Sequence, residues 1–228
     1  MSRAPRPDLT GENHRAGEMP AAERLPGTGR RVGVLALQGD FAEHVATLRR
    51  LGAEVREVRL PVDLAAVDSL VIPGGESTTI GKLLVDFHLL EPLRTRVADG
   101  MPVFGTCAGA IVLARDIGGL DQPLIGVMDI TVKRNAFGRQ LQSFEASVPL
   151  PAIGGGPMRA IFIRAPAIAS VGPGAEVLAR LTDGTIVAAR QGPLLATAFH
   201  PELNHDDRLH AFWLESTAIE EASSQGRV

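Results

Sequence analysis

The sequence predicts a doubly wound α/β fold, in which a mostly parallel sheet carries helices on both faces, together with a small antiparallel β layer. Two observations support this fold class. From Arg31 to about residue 120, short apolar runs alternate with segments of helical spacing. After about residue 120, short strand candidates separated by turns replace the alternation. Alternation with short links is typical of a parallel sheet covered on both faces, and the later strands should extend that sheet or form the smaller layer.

The first strand and helix follow from two neighbouring patterns. The run "RVGVLAL" is apolar and rich in β-branched residues, as a buried strand is. In "FAEHVATLRRLG", apolar residues recur at helical spacing as Phe41, Val45 and Leu48. Gly52 follows at the usual stop position, so a strand followed by a helix is predicted.

The next elements repeat this arrangement. "AEVREVRL" alternates as a strand does, and "DSLVIPGG" is a buried strand that ends in glycines. "STTIGKLLVDFHLLEPLRTRVADG" starts with capping residues and is predicted to be helical. "MPVFGTC" is then predicted as a strand and "AGAIVLARDIG" as a helix.

The second half is predicted to be largely β until a last helix around "DDRLHAFWLESTAIEEA". Its strand candidates are "GVMDITVKRNAFG", "SFEASVPL", "AIFIRAP", "EVLARL", "TIVAARQG" and "LLATAFH".

Composition predicts one domain. A chain of 228 residues that is 45% hydrophobic and 21% charged can bury one substantial core, which we assign to residues 31–222. Residues 1–30 are rich in Pro, Gly and charge and lack the apolar centre of an export signal, so we expect a disordered extension there. Residues 223–228 are expected to be a flexible tail.

Charge and cysteine usage exclude several classes of function. A net charge of −3 gives no reason to expect binding to nucleic acid or to an acidic membrane surface. No apolar run approaches the roughly 20 residues of a membrane-spanning helix. The single cysteine can form neither an internal disulfide nor, alone, a thiolate zinc site. These features suit a cytoplasmic protein without a metal centre.

The single cysteine stands where a nucleophile would. In "GTCAG" a predicted strand ends and a helix begins at Cys107, between Gly105 and Gly109. Turns of this kind expose a nucleophile, and the start of a helix favours a negatively charged thiolate. The alternative is a small buried residue that packs the sheet, which this stretch alone favours equally because free cysteine is among the most buried residue types.

A thiolate nucleophile needs a base, and the base usually needs an orienting acceptor. His200 follows the apolar strand in "LLATAFHPEL", at the carboxyl end where open α/β sheets place their ligands. Glu202 lies two residues on and can hold the imidazole, so Cys107, His200 and Glu202 can form a triad. His44 is expected to be a surface or satisfied core histidine of its helix, and His210 to be solvated.

The stretch "IPGGEST" at residues 72–78 is again a strand followed by glycines and a helix start. Backbone N–H groups in such a turn suit a carboxylate or an oxyanion. The alternative is an ordinary strand-to-helix turn with Ser77 or Thr78 as the helix cap.

The motifs "GTCAG", "FHPE" and "PGGEST" together resemble the class I, or triad, glutamine amidotransferases. "LALQGDFAEH", "RNAFGRQLQSFE" and "FIRAP" narrow the resemblance to the glutaminase subunits of glutamine-dependent pyridoxal 5'-phosphate synthases. The match runs in order from about Val32 to the last helix, and the sheet is therefore expected to be class I glutamine amidotransferase-like. Residues 1–30 and the stretch "LPAIGGGPMRA" depart from the family pattern.

The resemblance implies a reaction and a set of site residues. Cys107 would attack the carboxamide of L-glutamine, His200 would protonate the departing ammonia, and Glu202 would orient His200. Backbone N–H groups of Gly75 and Ala108 would form the oxyanion hole. Residues implied to line the glutamine site are Gly75, Glu76, Ser77, Arg134, Ile163 and Arg164, and those implied to sense a partner are Gln38 and Gly39.

The resemblance also implies a partner. Free ammonia would be wasted, so the chain is expected to join a hetero-oligomeric complex with a (β/α)8-barrel synthase subunit, which combines ammonia with a pentose phosphate and a triose phosphate. Pyridoxal 5'-phosphate would then be the product of the complex, and no cofactor is expected on this chain.

Three alternatives stay open at this point. A triad amidotransferase of histidine, purine or folate-related synthesis should lack "RNAFGRQ" and "FIRAP". A cysteine peptidase or other thiol hydrolase of similar fold would show no preference for glutamine. An inactive scaffold or regulatory module would not react at Cys107 with a glutamine-like electrophile.

Overall fold

A computed structural model of the chain describes residues 24–134, 136 and 143–225, and for residues 217–225 the backbone alone. The strands of this part are β1 (Arg31–Leu35), β2 (Glu54–Val58), β3 (Ser69–Ile72), β4 (Val103–Thr106), β5 (Ala114–Asp116), β6 (Met128–Lys133), β7 (Ser143–Val148), β8 (Met158–Ile163), β9 (Ala167–Val171), β10 (Glu176–Arg180), β11 (Ile186–Gln191) and β12 (Leu194–Thr197). The helices are α1 (Phe41–Arg50), α2 (Pro61–Ala65), α3 (Ser77–Asp86), α4 (Leu90–Ala98), α5 (Ala108–Leu113) and α6 (Arg208–Gln225), and a 3-10 turn spans Pro201–Leu203.

One large sheet dominates the fold. Its strand order is β2-β1-β3-β4-β12-β11-β9-β6-β5, and β10 pairs with β11 beside this path. The pairs from β2 to β12 are parallel, whereas β11 is antiparallel to β12, β9 and β10. β7 and β8 form a separate antiparallel pair. The predicted fold class, a mostly parallel sheet with a small antiparallel layer, is confirmed.

Both faces of the sheet are buried, because successive side chains of a strand point to opposite faces. Leu70 and Ile72 of β3 belong to one hydrophobic cluster, which includes residues of α3 and α5. Val71, between them, belongs to a second cluster, with residues of α1 and α6. All three side chains are fully buried, so the central strands are continuous apolar runs, as expected for a sheet between two helical layers.

Several boundaries differ from those predicted. The helical stretch that starts at Ser77 is two helices, because His88 adopts φ 57, a left-handed conformation that ends α3. α5 ends at Leu113 and the chain continues into β5, where a longer helix was expected. The short helix α2 was not predicted; Pro61 stands at its first turn, and the Asp63 carboxylate accepts a hydrogen bond from the Leu60 N–H at 3.0 Å.

The ends of the chain are described in part. Of the expected disordered extension, residues 1–30, those up to 23 lie outside the described residues, while 24–30 include a turn in which the Gly27 N–H donates to the Leu51 carbonyl at 2.8 Å. α6 reaches Gln225, inside the expected tail, and residues 226–228 lie outside the described part. Residues 135 and 137–142, which hold most of the "RNAFGRQLQ" stretch, also lie outside it. Within the described part, no helix combines the length and the apolar character needed to cross a membrane.

Candidate active site

Cys107 occupies a strained turn between β4 and α5. Its backbone has φ 49 and ψ −104, a combination that side-chain-bearing residues rarely adopt and that is held here by a hydrogen bond from its N–H to the Thr197 carbonyl at 2.8 Å. Its side chain is nearly buried, and the Sγ atom lies 3.9 Å from the Ile163 carbonyl oxygen. This is the geometry of a nucleophile elbow.

The two glycines beside Cys107 are required by close packing. A Cβ added at Gly109 would collide with the carbonyl oxygen of Ile72, at the end of β3. A Cβ added at Gly105 would meet the backbone of Gly109 at 2.6 Å. The start of α5 can therefore approach β3 and β4 only because neither glycine carries a side chain.

His200 lies beside Cys107 at the carboxyl end of β12. Its backbone N–H donates to the Ile161 carbonyl at 2.9 Å, and its Nδ1 lies 2.7 Å from Oε1 of Glu202. The Cys107 side chain acts on the imidazole from the other side, and Cys107 and His200 line the same cavity. The structure thus brings the three residues of the predicted triad together, with His200 hydrogen-bonded to Glu202 and beside Cys107.

The charges of this chain favour an imidazolium. Burial lowers the pKa of His200, but the neighbouring Cys107 and Glu202 side chains outweigh burial and raise that pKa to about 10. Burial raises the pKa of Glu202, and the neighbouring His200 opposes that rise. A thiolate–imidazolium pair beside a carboxylate is the arrangement that activates a sulfur nucleophile.

A cavity of about 440 Å³ opens in front of the sulfur. Glu202 lies behind His200, outside the cavity wall, whereas every other residue predicted for the site lies on that wall. The lining residues are Gln38, Gly39, Asp40, Gly75, Glu76, Ser77, Cys107, Ala108, Ile111, Arg134, Ile163, Arg164 and His200.

Glu76 and Arg134 meet across the cavity. The Glu76 carboxylate caps α3 by accepting from the Thr79 N–H at 2.7 Å, so the cap is Glu76 and neither Ser77 nor Thr78. Its other oxygen lies 2.9 Å from Nη2 of Arg134. Burial opposes ionisation, but the hydrogen bonds from Thr79 and the charge of Arg134 lower the pKa of the Glu76 carboxyl. Glu76 therefore stays a carboxylate in the wall of the cavity.

The loop after β1 holds the glycine turn, which is formed by Gly74 and Gly75 after β3. Oε1 of Gln38 accepts a hydrogen bond from the Glu76 N–H at 2.7 Å, and the Gly74 carbonyl accepts from the Asp40 N–H at 3.3 Å. Gly39 has φ 103, and a Cβ there would collide with the Gly74 carbonyl oxygen. The two loops can close on each other only because Gly39 is a glycine.

Besides Ile111, which lines the cavity, four residues of the site were missed by sequence reasoning. Gly74 packs directly under the ring of His200, and only the doubled glycine in "PGGEST" pointed to it. Asp40 lines the cavity, with Oδ2 3.9 Å from Nδ1 of His200. Gln122 accepts from Thr78 Oγ1 and from Arg134 Nη1, both at 3.1 Å, and no motif marked it. His44 lies 3.3 Å from Oε2 of Glu202.

The expectation for His210 is wrong. Its side chain is fully buried, with Nε2 2.9 Å from Nδ1 of His44. The charged residues that suggested a solvated site, Asp206, Asp207 and Arg208, precede it at the start of α6, while His210 faces inward.

One group of the described residues offers ligand atoms suited to a metal ion. Atoms of Asp40, His200 and Glu202 lie within 4.8 Å of one another. The two buried members already hydrogen-bond to each other at 2.7 Å, so the same geometry serves as a base and its acceptor without an ion.

Comparison with known proteins gives these features a family context. The sequence profile of the SNO glutamine amidotransferase family matches residues 34–219. The chain is 58% identical over 189 residues to the pyridoxal 5'-phosphate synthase subunit PdxT of Chloroflexus aggregans, which covers 81% of this chain and 98% of that protein. It is 60% identical over 186 residues to the PdxT subunit of Herpetosiphon aurantiacus, with 80% and 98% covered.

Solved structures are similar over the same region. The crystal structure of a glutamine amidotransferase superimposes with a TM-score of 0.78 at 51% identity, covering 82% of this chain and 98% of that chain. The structure of PurLQS from Thermotoga maritima has a TM-score of 0.62 at 14% identity, covering 85% and 99%, and shows similarity of fold alone.

Proposed function

The chain belongs to the SNO glutamine amidotransferase family, and from this premise we propose that it is the glutaminase subunit of a pyridoxal 5'-phosphate synthase. It hydrolyses L-glutamine to glutamate and ammonia and passes the ammonia to a synthase subunit. The observation that carries the proposal is that Cys107 and His200, the latter hydrogen-bonded to Glu202 at 2.7 Å, line one cavity of about 440 Å³.

In the first step, the Cys107 thiolate adds to the side-chain carbonyl carbon of glutamine. The carbon–nitrogen bond then breaks, and the proton on Nε2 of His200 goes to the leaving nitrogen, so ammonia departs and a γ-glutamyl thioester forms. Glu202 accepts a hydrogen bond from Nδ1–H of His200. It stabilises the imidazolium until the Nε2 proton has been transferred to the leaving nitrogen.

In the second step, water hydrolyses the thioester. Neutral His200 takes a proton from the water as its oxygen adds to the carbonyl carbon, and the carbon–sulfur bond breaks. Glutamate leaves, and the thiolate–imidazolium pair is restored. Both steps need only a thiolate, an imidazole and water, so no cofactor or metal on this chain is part of the proposed reaction.

Both steps pass through a tetrahedral oxyanion. Backbone N–H groups are suited to stabilise it, and we assign this role to Ala108, which follows the nucleophile at the start of α5, and to Gly75 of the glycine turn. Gln38 and Gly39 contact this turn, which supports a role for them in sensing the partner, since a protein that docks on their loop would act on the oxyanion hole directly.

The polar wall of the cavity suits the amino-acid end of glutamine. Glu76, Ser77 and Ile163 line it together with two arginines. Arg134 is held by Glu76 and Gln122 and shapes the wall, whereas Arg164 is exposed at φ 44 and can meet the α-carboxylate.

The partner completes the proposal. Ammonia is useful to the cell only if it is delivered, so we infer a hetero-oligomeric complex with a (β/α)8-barrel synthase subunit in the cytoplasm. Pyridoxal 5'-phosphate is then the product of that complex.

Release of ammonia and glutamate from L-glutamine tests the function. We would measure it for the wild-type chain and for Cys107→Ala, each with and without the cognate synthase subunit. Release that depends on Cys107 and rises with the synthase is expected. Strong release that is indifferent to the synthase would indicate another glutaminase role, and no release in any mixture would overturn the proposal.

A further inference from the structure

Two fully buried histidines lie behind the proposed triad. His44 of α1 and His210 of α6 hydrogen-bond to each other, with 2.9 Å between Nδ1 of His44 and Nε2 of His210. On its other side, Nε2 of His44 lies 3.2 Å from Oγ1 of Thr106 and 3.3 Å from Oε2 of Glu202. The polar contacts that join His200 to Glu202 therefore continue past Glu202 into the core.

Both histidines are neutral at pH 7. Burial, with some repulsion from His210 and His200, holds the pKa of His44 well below its usual value. Burial also lowers the pKa of His210, to about 4, although Asp207 opposes the shift. Each ring therefore carries one N–H hydrogen. Its position on Nδ1 or Nε2 decides whether His44 presents a donor or an acceptor to Glu202.

The surroundings select one tautomer. Nδ1 of His210 is buried without a hydrogen-bond partner among the described residues. Because a buried N–H without an acceptor is rarer than an unpaired acceptor, the hydrogen of His210 belongs on Nε2, from which it donates to Nδ1 of His44. The hydrogen of His44 then sits on Nε2 and faces Thr106 and Glu202.

Oε2 of Glu202 needs such a donor. Oε1 is bonded to His200, whereas Oε2 is buried and has no hydrogen bond of full geometry among the described residues. A buried carboxylate with one unsatisfied oxygen tends to take up a proton. Protonated Glu202 would no longer stabilise the imidazolium of His200.

We propose that His44 is a positioning residue, whose Nε2–H faces Oε2 of Glu202 and keeps this carboxylate ionised and aimed at His200, while His210 fixes the tautomer of His44. The effect on catalysis rests on the proposed glutaminase function. The effect on the reactivity of the Cys107 sulfur does not depend on that function, because it follows only from the charge of Glu202 next to His200.

Three substitutions at one position separate the donor from the bulk of the ring. His44→Leu fills the site without a donor. His44→Gln places an amide N–H where Nε2 stands, and His44→Asn places its amide near the Nδ1 position, short of Glu202. Val45→Ala, next to His44 in α1 and buried in the same core, is the matched control for a loss of packing alone.

Alkylation of the sulfur by iodoacetamide is the readout that needs no glutamine. Cys107 is the only cysteine of the chain, so the rate reports one site. His44→Leu and His44→Asn should move the midpoint of the rate–pH profile upward by roughly one pH unit, because the imidazolium loses its counter-charge. His44→Gln should restore most of the wild-type profile, and Val45→Ala should keep its midpoint.

Glutamine hydrolysis in the complex with the synthase subunit is the second readout. His44→Leu should lower kcat roughly 10- to 100-fold and leave KM unchanged, since His44 does not touch the cavity. If wild-type protein released no ammonia while the alkylation midpoint still moved, the proposed function would fall and the role of His44 would stand. An unmoved midpoint in His44→Leu, or equal behaviour of His44→Gln and His44→Asn, would overturn the role of His44.

Discussion

Gly74→Ala should disable the site without removing any reacting group. Gly74 lies in the turn after β3, and an added Cβ would be 2.3 Å from Cε1 of the His200 ring. Non-bonded carbon atoms settle at about 3.5–4.0 Å, so the ring must move by about 1.2 Å. It cannot swing away freely, because Nδ1 is held by Glu202 at 2.7 Å and the backbone N–H by Ile161 at 2.9 Å.

A displacement of this size is large for proton transfer. A shift of about 1 Å in a positioned group can cost about 100-fold in rate, which corresponds to about 2.7 kcal/mol of transition-state stabilisation. We therefore expect kcat/KM for glutamine to fall by about two orders of magnitude. Overpacking should lower the free energy of unfolding as well, by about 1–3 kcal/mol.

The assay is ammonia release by the complex with the synthase subunit, alongside thermal unfolding of the same preparations. Gly174→Ala is the matched control, because a Cβ there would meet its nearest atom, Oδ2 of Asp129, at an ordinary 3.6 Å. A folded Gly74→Ala protein with activity within threefold of wild type would refute the reasoning.

Three further predictions concern stability, binding and pH. Gly109→Ala sets a Cβ against the Ile72 carbonyl oxygen and should cost about 1–3 kcal/mol of folding free energy, which denaturant unfolding would measure; an unchanged midpoint would contradict the packing argument. Arg134→Gln removes the partner of Glu76 and should raise KM for glutamine roughly 10-fold with a smaller change in kcat, and steady-state kinetics showing the reverse pattern would contradict a binding role. Burial lowers the pKa of His210 from 6.5 to about 4. Between these two pH values His210 is therefore protonated in the unfolded chain and neutral in the folded chain. The free energy of unfolding should therefore fall by up to about 3 kcal/mol as the pH drops from 6.5 to 4, and His210→Gln should lose less over that range; equal losses in both proteins would argue against a neutral buried His210.

The catalytic residues could be predicted from the sequence because few roles suit a cysteine, a histidine and a glutamate in these positions. A lone cysteine between glycines and a histidine at the end of an apolar strand each allow a purely structural role, but together with Glu202 they favour a reactive one. The structure brings Cys107 and His200, which are 93 residues apart, to one cavity. The strand-helix alternation could also be predicted, because strands that are buried on both faces of a sheet are continuous apolar runs.

What the sequence could not reveal depends on packing between distant segments. His44 and His210 are 166 residues apart and meet only because α1 and α6 share one face of the sheet. Gln122 lies in a loop, and its contact with Arg134 has no periodic signal. The break between α3 and α4 rests on one left-handed residue, His88, in a stretch whose apolar spacing continues unbroken.

The strand order explains why residues so far apart in sequence form one site. Parallel strands have their carboxyl ends at the same edge, and β1, β3, β4 and β12 are consecutive neighbours in the sheet. Each is followed by one part of the site: the loop with Gln38 and Gly39, the glycine turn with Gly75, the nucleophile Cys107 and the base His200. The next strand, β11, is antiparallel to β12, so the loop that follows β11 lies at the opposite edge. The site therefore lies at the carboxyl ends of these four parallel strands, and a partner that contacted the loop after β1 would act on the glycine turn, one strand away from the sulfur.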